Sequence, residues 1–320
     1  MEFTDVLAAA RTIAPYLPAT PMWSYPTLNR LAGATLYVKH ENTQPTGAFK
    51  VRGGIALLAG LSAEQAARGI VGYSTGNHAQ SLAYAAKLFG VECRIAMPAG
   101  ANPVKVAAVE ALGASVEQVG ATLEDARAHA QRLAAGRGMR LIGVAEPELV
   151  AGVATAYLET LAAQPDLDAI VVPVGGGSGA AGACLVASAV APRCRVIAVQ
   201  SRLSPAAHDS WRAGRLLERP NRTAVEGLAT GGAHEVTQAI LRRHLSDFRL
   251  LSDETIREAQ YELLTAAHTL AEGAGAAALA AVLADRDGFA GQRVAVLCTG
   301  GNAAPAELDA LLPVRGITGR

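Results

Sequence analysis

The sequence predicts an α/β fold built on mainly parallel sheets. Strand-like and helix-like segments alternate along almost the whole chain, which is the pattern of repeated β-α-β units. Glycine-rich or polar turns follow three of the predicted strands, at YSTGNHAQ, VGGGSGAAG and CTGGN. Open parallel sheets bind their ligands beyond the carboxyl ends of the strands. These three turns are therefore the candidate ligand loops.

Segments rich in apolar and β-branched residues predict the strands. In chain order they cover residues 35–39, 70–74, 92–97, 115–119, 139–143, 169–174, 195–200 and 293–298. Helices are predicted between them, at residues 77–89, 102–112, 122–135, 147–163, 179–190, 253–270 and 273–284. The second of these helices has Asn102 as N-cap, Pro103 at its first position and Gly113 just beyond its end. An amphipathic helix is also predicted over MEFTDVLAAARTIAPYL at the N-terminus.

The composition excludes several classes of function. The chain has 320 residues, of which 51% are hydrophobic and 18% charged, and Lys plus Arg and Asp plus Glu each number 28. A net charge of zero provides no field to attract nucleic acid or an anionic membrane. No apolar segment reaches the ~20 residues of a membrane span, and the N-terminus lacks the basic region of a signal peptide. We therefore expect a cytoplasmic protein with neither nucleic acid nor a membrane as partner.

The four cysteines predict buried, reduced thiols. They are Cys93, Cys184, Cys194 and Cys298, and all lie in apolar surroundings. None forms a CxxC pair or has a histidine at metal-ligand spacing. This usage is typical of a cytosolic protein.

The segment VGGGSGAAG, residues 174–182, predicts a phosphate-binding loop. Its glycines let backbone N–H groups converge on an anion, and the helix that follows adds the positive end of its dipole. The candidate residues are Gly175, Gly176, Gly177, Ser178 and Gly179. The segment is not a P-loop because GK[ST] is absent, and it matches the dinucleotide motif GxGxxG poorly. A tight turn without a ligand explains the glycines equally well at this stage.

The turn YSTGNHAQ, residues 73–80, predicts a carboxylate-binding loop. Its hydroxyls and helix-start amides suit a carboxylate, and the side-chain amide of Asn77 offers both a donor and an acceptor. The candidate residues are Ser74, Thr75, Gly76, Asn77 and His78. The structural alternative is an ordinary helix cap, in which Asn77 or Thr75 satisfies backbone amides and His78 merely packs.

Two further side chains complete a chemical pattern. Lys50 follows Phe49 in the polar, glycine-bearing segment ENTQPTGAFKVRGG, and Thr299 follows the last predicted strand in CTGGN. A lysine amine, a phosphate loop, a carboxylate loop and a hydroxyl together suit a phosphorylated aldehyde cofactor. Pyridoxal phosphate is the obvious candidate, because its aldehyde condenses with lysine and its ring withdraws electrons.

Four segments in this order, TGAFKVRGG, STGNHAQ, GGGSG and EGAGAAALAA, resemble the motifs of fold-type II pyridoxal-phosphate enzymes. They are most similar to the serine/threonine dehydratase branch, which includes serine racemase and hydroxyaspartate dehydratases. The resemblance implies a tryptophan synthase β-like α/β architecture with two lobes of open, twisted parallel sheets and flanking helices. Residues 1–51 and 146–320 would form the large cofactor-binding lobe, and residues 52–145 the small mobile lobe. Homodimers are usual in this family.

The resemblance also implies roles for individual residues. Lys50 matches the lysine that binds the cofactor covalently, and Phe49 matches a residue that packs on the cofactor ring. Residues 74–78 match the loop that binds the substrate carboxylate, and Asn77 in that loop also reaches the phenolic oxygen of the cofactor. Residues 175–179 match the phosphate loop.

Thr299 matches the residue that faces the pyridine nitrogen, and Glu226 and Gly227 resemble a segment beside the ring. A neutral hydroxyl does not keep that nitrogen protonated as a carboxylate would, so prompt loss of a β-substituent is favoured over transamination. In the implied reaction Lys50 takes the α-proton, the β-hydroxyl leaves, and hydrolysis releases a 2-oxo acid and ammonia. The predicted function is therefore dehydration and deamination of a small β-hydroxy amino acid, such as L-threonine or L-serine.

Three departures from the family pattern refine this prediction. Thr75, the second catalytic candidate, replaces the serine that acts as acid and base in serine racemase, and its bulk disfavours efficient racemisation. Residues 200–206 contain no carboxylate where some members bind Mg²⁺ or Ca²⁺, so no metal is expected. The sequence has 18 residues beyond Asn302, so we expect it to lack the regulatory domain of biosynthetic threonine dehydratases.

Other functions stay open from the sequence. Larger substrates, namely threo-3-hydroxyaspartate, phenylserine and hydroxyectoine-derived acids, fit the same motifs, as does serine or aspartate racemisation. β-Replacement synthases and threonine synthases share the fold. A nucleotide-dependent oxidoreductase would use GGGSG for pyrophosphate but leaves Lys50 and STGNHAQ unexplained. A non-catalytic amino-acid-binding protein would not need Lys50.

Overall fold

The computed structural model describes residues 1–311 and confirms an α/β fold. The strands are β1 (Met22–Trp23), β2 (Thr35–His40), β3 (Ile70–Tyr73), β4 (Cys93–Met97), β5 (Ser115–Gln118), β6 (Arg140–Ile142), β7 (Ala169–Pro173), β8 (Arg195–Ser201), β9 (Asp247–Leu251) and β10 (Arg293–Cys298). The helices are α1 (Phe3–Ile13), α2 (Pro26–Ala32), α3 (Lys50–Ala59), α4 (Ala63–Arg68), α5 (Asn77–Phe89), α6 (Pro103–Ala111), α7 (Leu123–Arg137), α8 (Pro147–Ala163), α9 (Ser178–Val190), α10 (Ala206–Ala213), α11 (Glu235–His244), α12 (Asp253–Ala266), α13 (Gly273–Ala284), α14 (Arg286–Phe289) and α15 (Pro305–Asp309).

The larger of two sheets has the strand order β1-β2-β10-β7-β8-β9. All neighbours are parallel except β1 and β2. Successive residues of β7 point to opposite faces: Val171 packs in a core with α12 and α13, whereas Ile170 packs in a core with α8 and α9. A strand covered on both faces must be apolar throughout, which explains the continuous apolar run of β7.

The smaller sheet has the order β5-β4-β3-β6 and is parallel throughout. Ile70 and Ile95 on one face pack with α1, α3 and α5. Val71 and Ala96 on the other face pack with α7. This sheet therefore has its own pair of cores, separate from those of the larger sheet.

Helix α3 was not predicted, because Gly53 and Gly54 make its sequence a poor helix former. The structure shows why these glycines are tolerated. A Cβ on Gly53 would lie 2.9 Å from the carbonyl oxygen of Leu149 on α8, and a Cβ on Gly54 would lie 2.5 Å from the carbonyl oxygen of Ser81 on α5. Tight packing between α5 and α8 thus stabilises α3, and Lys50 is its first residue.

A buried ion cluster anchors the beginning of α3. The guanidinium of Arg52 is 1% exposed and contacts Glu41, which is fully buried, with an Nε–Oε2 distance of 2.8 Å. Its Nη1 lies 2.6 Å from Oε1 of Glu159 on α8, and Lys39 of β2 contacts the same carboxylate at 2.5 Å. Two cations and two carboxylates neutralise one another, which makes their burial tolerable.

The remaining sequence predictions hold with a few corrections. Every predicted strand and helix forms, with end points shifted by one to a few residues. The helix predicted over 253–270 ends at Ala266, shortly before His268 adopts a left-handed φ of 52°. The strands β1 and β9 and the helices α2, α4, α10, α11, α14 and α15 were not predicted. The four cysteines are buried and free, and no helix within residues 1–311 is long and apolar enough to cross a membrane.

Candidate active site

One pocket opens between the carboxyl ends of strands from both sheets. Tyr73 at the end of β3, Pro173 at the end of β7 and Thr299 just after β10 all contribute to its wall. Every residue predicted for the site lines this pocket: Phe49, Lys50, Ser74, Thr75, Gly76, Asn77, His78, Gly175, Gly176, Gly177, Ser178, Gly179 and Thr299. The structure therefore brings together motifs that are up to 250 residues apart in the sequence.

Lys50 extends from the start of α3 to the glycine-rich loop. Its Nζ donates a hydrogen bond to Oγ of Ser178 at 2.7 Å and lies 5.2 Å from the ring centroid of Phe49. Burial lowers the pKa of the Lys50 amine from 10.5 to about 8. An appreciable fraction of this amine is therefore uncharged near neutral pH, as a nucleophile or general base requires.

The glycine-rich loop leads from β7 directly into α9. Gly177 is the N-cap of α9 and has a left-handed φ of 88°, and a Cβ there would lie 2.9 Å from Oγ1 of Thr237. Gly175 faces the carbonyl of Gly227 too closely to carry a side chain. The loop is therefore a narrow backbone cradle at a helix N-terminus, which is the geometry that binds phosphate.

Asn77 is held by two side chains from the distant end of the chain. Its Nδ2 donates to Oε1 of Glu272 at 2.6 Å, and its Oδ1 accepts from Nδ2 of Asn302 at 2.8 Å. The N-cap of α5 is Gly76, and no side chain caps this helix. The alternative in which Asn77 or Thr75 is an ordinary helix cap is therefore wrong, because the amide of Asn77 bonds to other side chains.

His78 is buried at the pocket, and one of its ring nitrogens has no hydrogen-bond partner among the described residues. That nitrogen is Nε2. Burial and, to a smaller extent, the charge of Lys50 lower the pKa of His78 to about 3. The imidazole is therefore neutral at physiological pH, and its unpartnered nitrogen is available to a ligand.

The end of β10 holds the segment that carries the lysine. The backbone N–H of Phe49 donates to the carbonyl of Thr299 at 2.9 Å, and Ala48 forms an isolated β-bridge with Gly300. Thr299 itself is 3% exposed. The position of Lys50 is thus fixed by backbone contacts to the larger sheet as well as by α3.

Sequence reasoning missed four polar side chains of this pocket or its rim. Glu272 lines the pocket, and burial raises the pKa of its carboxyl to about 7 despite the hydrogen bond from Asn77. Lys105 and Thr230 also line it. His234 is partly buried, and its Cδ2 would lie 3.7 Å from a Cβ on Gly176. The only sequence signal was the position of Glu272 in the quoted EGAGAAALAA motif.

These residues fit pyridoxal phosphate. The backbone cradle at 175–179 suits its phosphate, the amine of Lys50 suits its aldehyde, and the free Nε2 of His78 and the oriented amide of Asn77 add polar contacts. When bound, this cofactor supplies an electron-withdrawing ring that acidifies the α-proton of an amino acid. Fold and site together thus define the class of enzymes that use a phosphorylated aldehyde in amino-acid chemistry.

Comparison with known proteins identifies the family. The model described as "Pyridoxal-phosphate dependent enzyme" matches residues 13–300, so the chain belongs to this family and its cofactor is pyridoxal phosphate. It is 35% identical to the beta-hydroxyaspartate dehydratase of Paracoccus denitrificans (strain Pd 1222), over 97% of this chain and 98% of the relative. It is 34% identical to the L-threonine ammonia-lyase of Thermotoga maritima, over 93% of this chain and 75% of the relative.

A solved structure confirms the fold that the sequence motifs implied. The serine racemase of Dictyostelium discoideum superposes with a TM-score of 0.89 at 31% identity, covering 95% of this chain and 99% of the other. The fold is therefore that of the fold-type II enzymes, and the protein is a pyridoxal-phosphate-dependent lyase.

Proposed function

We propose that the protein converts L-threonine and L-serine to 2-oxo acids and ammonia. The observation that carries this proposal is the position of the Lys50 amine, which lies 2.7 Å from Oγ of Ser178 in the phosphate cradle, in a pocket that residues 74–78 also line. An amino acid whose carboxylate binds those residues presents its α-carbon to the same amine. Loss of the α-proton then becomes the step that the geometry favours.

Each predicted site residue has a part in this proposal. Residues 175–179 bind the cofactor phosphate, and the ring of Phe49 packs against the cofactor. Ser74, Thr75 and their neighbours up to residue 78 bind the substrate carboxylate through hydroxyl and amide groups. The hydroxyl of Thr299 faces the ring nitrogen, and because it is neutral it does not stabilise a long-lived carbanion.

The chain's own groups account for the proton movements. The uncharged amine of Lys50 takes the α-proton, and return of that proton to the departing β-hydroxyl forms water, so no net acid or base is consumed. The unsaturated amine that remains leaves the protein and is hydrolysed, which consumes one water and releases ammonia and a 2-oxo acid. The lowered pKa of Lys50 places this amine in the form that accepts the proton.

The test is turnover by the purified, cofactor-loaded enzyme. We expect L-threonine and L-serine to yield 2-oxo acid and ammonia in equal amounts, and Lys50→Ala to abolish both. A Lys50→Ala protein that turns over at the wild-type rate without added amine would refute the role of Lys50. Absence of 2-oxo acid from every β-hydroxy amino acid tested would refute the reaction.

A second candidate substrate is L-threo-3-hydroxyaspartate. It is favoured by the Saccharomyces cerevisiae relative named L-threo-3-hydroxyaspartate ammonia-lyase, which is 33% identical over 94% of this chain and 93% of the relative. The Paracoccus relative, named for beta-hydroxyaspartate, supports the same class of substrate. The reaction would be the same elimination on an acidic side chain. Relative values of kcat/KM for threonine, serine and hydroxyaspartate decide between the candidates.

The proposal includes the lobes and the assembly. We assign residues 52–145 to a small lobe that closes over the substrate, and residues 1–51 and 146–320 to a large lobe. The strands of the smaller sheet all fall between residues 70 and 142, which supports this division. We further propose a homodimer that resides in the cytoplasm, consistent with four free cysteines. Light scattering of the purified protein tests the dimer.

A further inference from the structure

An ion pair in the lining of the active-site pocket joins elements that lie beside the two different sheets. Lys105 lies on α6, which packs beside the smaller sheet, and Glu226 lies on the single-turn 3-10 helix Glu226–Leu228, beside the glycine-rich loop of the larger sheet. Their side chains form a salt bridge, and both residues line the pocket. Neither side chain has a part in the reaction described above.

The two partners differ in how much water they contact. The Lys105 side chain is 11% exposed, whereas the Glu226 side chain is 54% exposed. Removing Glu226 from the pair therefore costs little, because its carboxylate is already largely hydrated. Leaving the ammonium of Lys105 without an anion costs more, because water reaches it poorly. The ammonium of Lys105 therefore needs an anionic partner, and another anion can replace the carboxylate of Glu226 at little cost.

The charges around the pocket leave Lys105 available for this purpose. Lys50 is the other lysine that lines the pocket, and it is assigned to the cofactor. Glu272 is bound to Asn77, and the imidazole of His78 is neutral. Lys105 is near enough to Glu272 to counteract part of the rise in the pKa of that carboxyl. Its charge therefore acts inside the pocket and not only at the surface.

We propose that Lys105 determines substrate specificity by binding the side-chain carboxylate of an acidic β-hydroxy amino acid. Glu226 occupies Lys105 when the substrate side chain is neutral, as in serine or threonine, and the substrate carboxylate displaces Glu226 when the side chain is acidic. This inference rests on the proposed elimination reaction and adds a recognition element to it. One pocket then accepts both classes of substrate, with a different partner for the same ammonium.

The first experiment compares substrates across matched variants. Lys105→Gln should lower the ratio of kcat/KM for L-threo-3-hydroxyaspartate to kcat/KM for L-threonine by about 30-fold, mainly through KM, because it loses a charge-assisted contact. Glu226→Gln should raise the same ratio, because it removes the competing carboxylate. Lys87→Gln, at an exposed lysine near the end of α5, is the control and should leave the ratio unchanged.

The second experiment measures binding without turnover. Titration calorimetry on the cofactor-loaded enzyme should show tighter binding of succinate than of butyrate, and Lys105→Gln should abolish that preference. Equal affinity of the wild type for succinate and butyrate would overturn the inference. An equal loss of kcat/KM for hydroxyaspartate and threonine in Lys105→Gln would also overturn it, and the ion pair would then serve only to hold the two lobes together. If no substrate yields a 2-oxo acid, the proposed function falls, and the succinate preference still decides the role of Lys105.

Discussion

Replacing Glu272 by glutamine should make the stability difference from wild type depend on pH. Burial raises the pKa of the Glu272 carboxyl from 4.5 to about 7. Between these two values the native protein keeps a proton that the unfolded chain has released. Wild-type stability therefore falls as the pH rises through this window, and the full penalty is present above pH 7. Glutamine carries no charge and still offers an amide oxygen to Asn77.

The magnitude follows from the size of the shift. One pKa unit corresponds to about 1.4 kcal/mol, so the unfolding free energy of Glu272→Gln relative to wild type should rise by about 3 kcal/mol between pH 4.5 and pH 8. For a chain of this size that corresponds to a melting difference on the order of 5 °C. His40 and His78 also titrate abnormally, but their contributions are the same in both proteins and cancel in the difference.

The assay is thermal unfolding of the cofactor-free wild type and Glu272→Gln proteins at pH 5 and pH 8. We expect nearly equal melting temperatures at pH 5 and a clear advantage for the variant at pH 8. Glu110→Gln, at an exposed glutamate on α6, is the control for a change of surface charge. An advantage of Glu272→Gln that is the same at both pH values would show that this carboxyl titrates normally and that the reasoning is wrong.

Three further predictions concern the scaffold, the cofactor and metals. Arg52→Leu leaves Glu41 buried without its main partner and should cost about 3–5 kcal/mol of unfolding free energy in urea; a loss below about 1 kcal/mol contradicts this account. Gly177→Ala strains a left-handed residue and crowds Thr237, so fluorescence titration should show about tenfold weaker pyridoxal phosphate binding, whereas Gly136→Ala, with free space around it, should bind normally. EDTA should change neither turnover nor melting temperature, since no acidic cluster within residues 1–311 suits a cation; an activity loss reversed by Mg²⁺ would speak against this.

Eight of the ten strands in residues 1–311 were predictable from the sequence because they carry strong local signals. β7 is apolar throughout and β10 is apolar after Arg293, and each predicted run became a strand. β9 was missed because its sequence, DFRLL, mixes charged and apolar residues as an edge strand can. α3 was missed because Gly53 and Gly54 disfavour a helix locally, and only tight packing against α5 and α8 compensates.

The candidate site was predictable where the ligand-binding groups of a loop come from consecutive residues. STGNHAQ and GGGSG are such loops, and the structure places all their named residues around one pocket. Glu272 and Lys105 escaped prediction for a different reason. Asn77 and Glu272 are separated by 195 residues, and Lys105 and Glu226 by 121, so their pairing depends on the tertiary structure alone. A single glutamate or lysine lies in no local sequence pattern from which such a partner could be predicted.

The two hydrogen bonds of the Asn77 side chain lower the entropic cost of binding a ligand to it. An asparagine amide turns freely in solution, and a ligand that selects one orientation must offset the lost rotational freedom. Here Glu272 accepts from one end of the amide and Asn302 donates to the other, so folding has already fixed which way it faces. An arriving molecule finds one N–H already directed and does not have to immobilise it, and more of its contact energy is left for affinity.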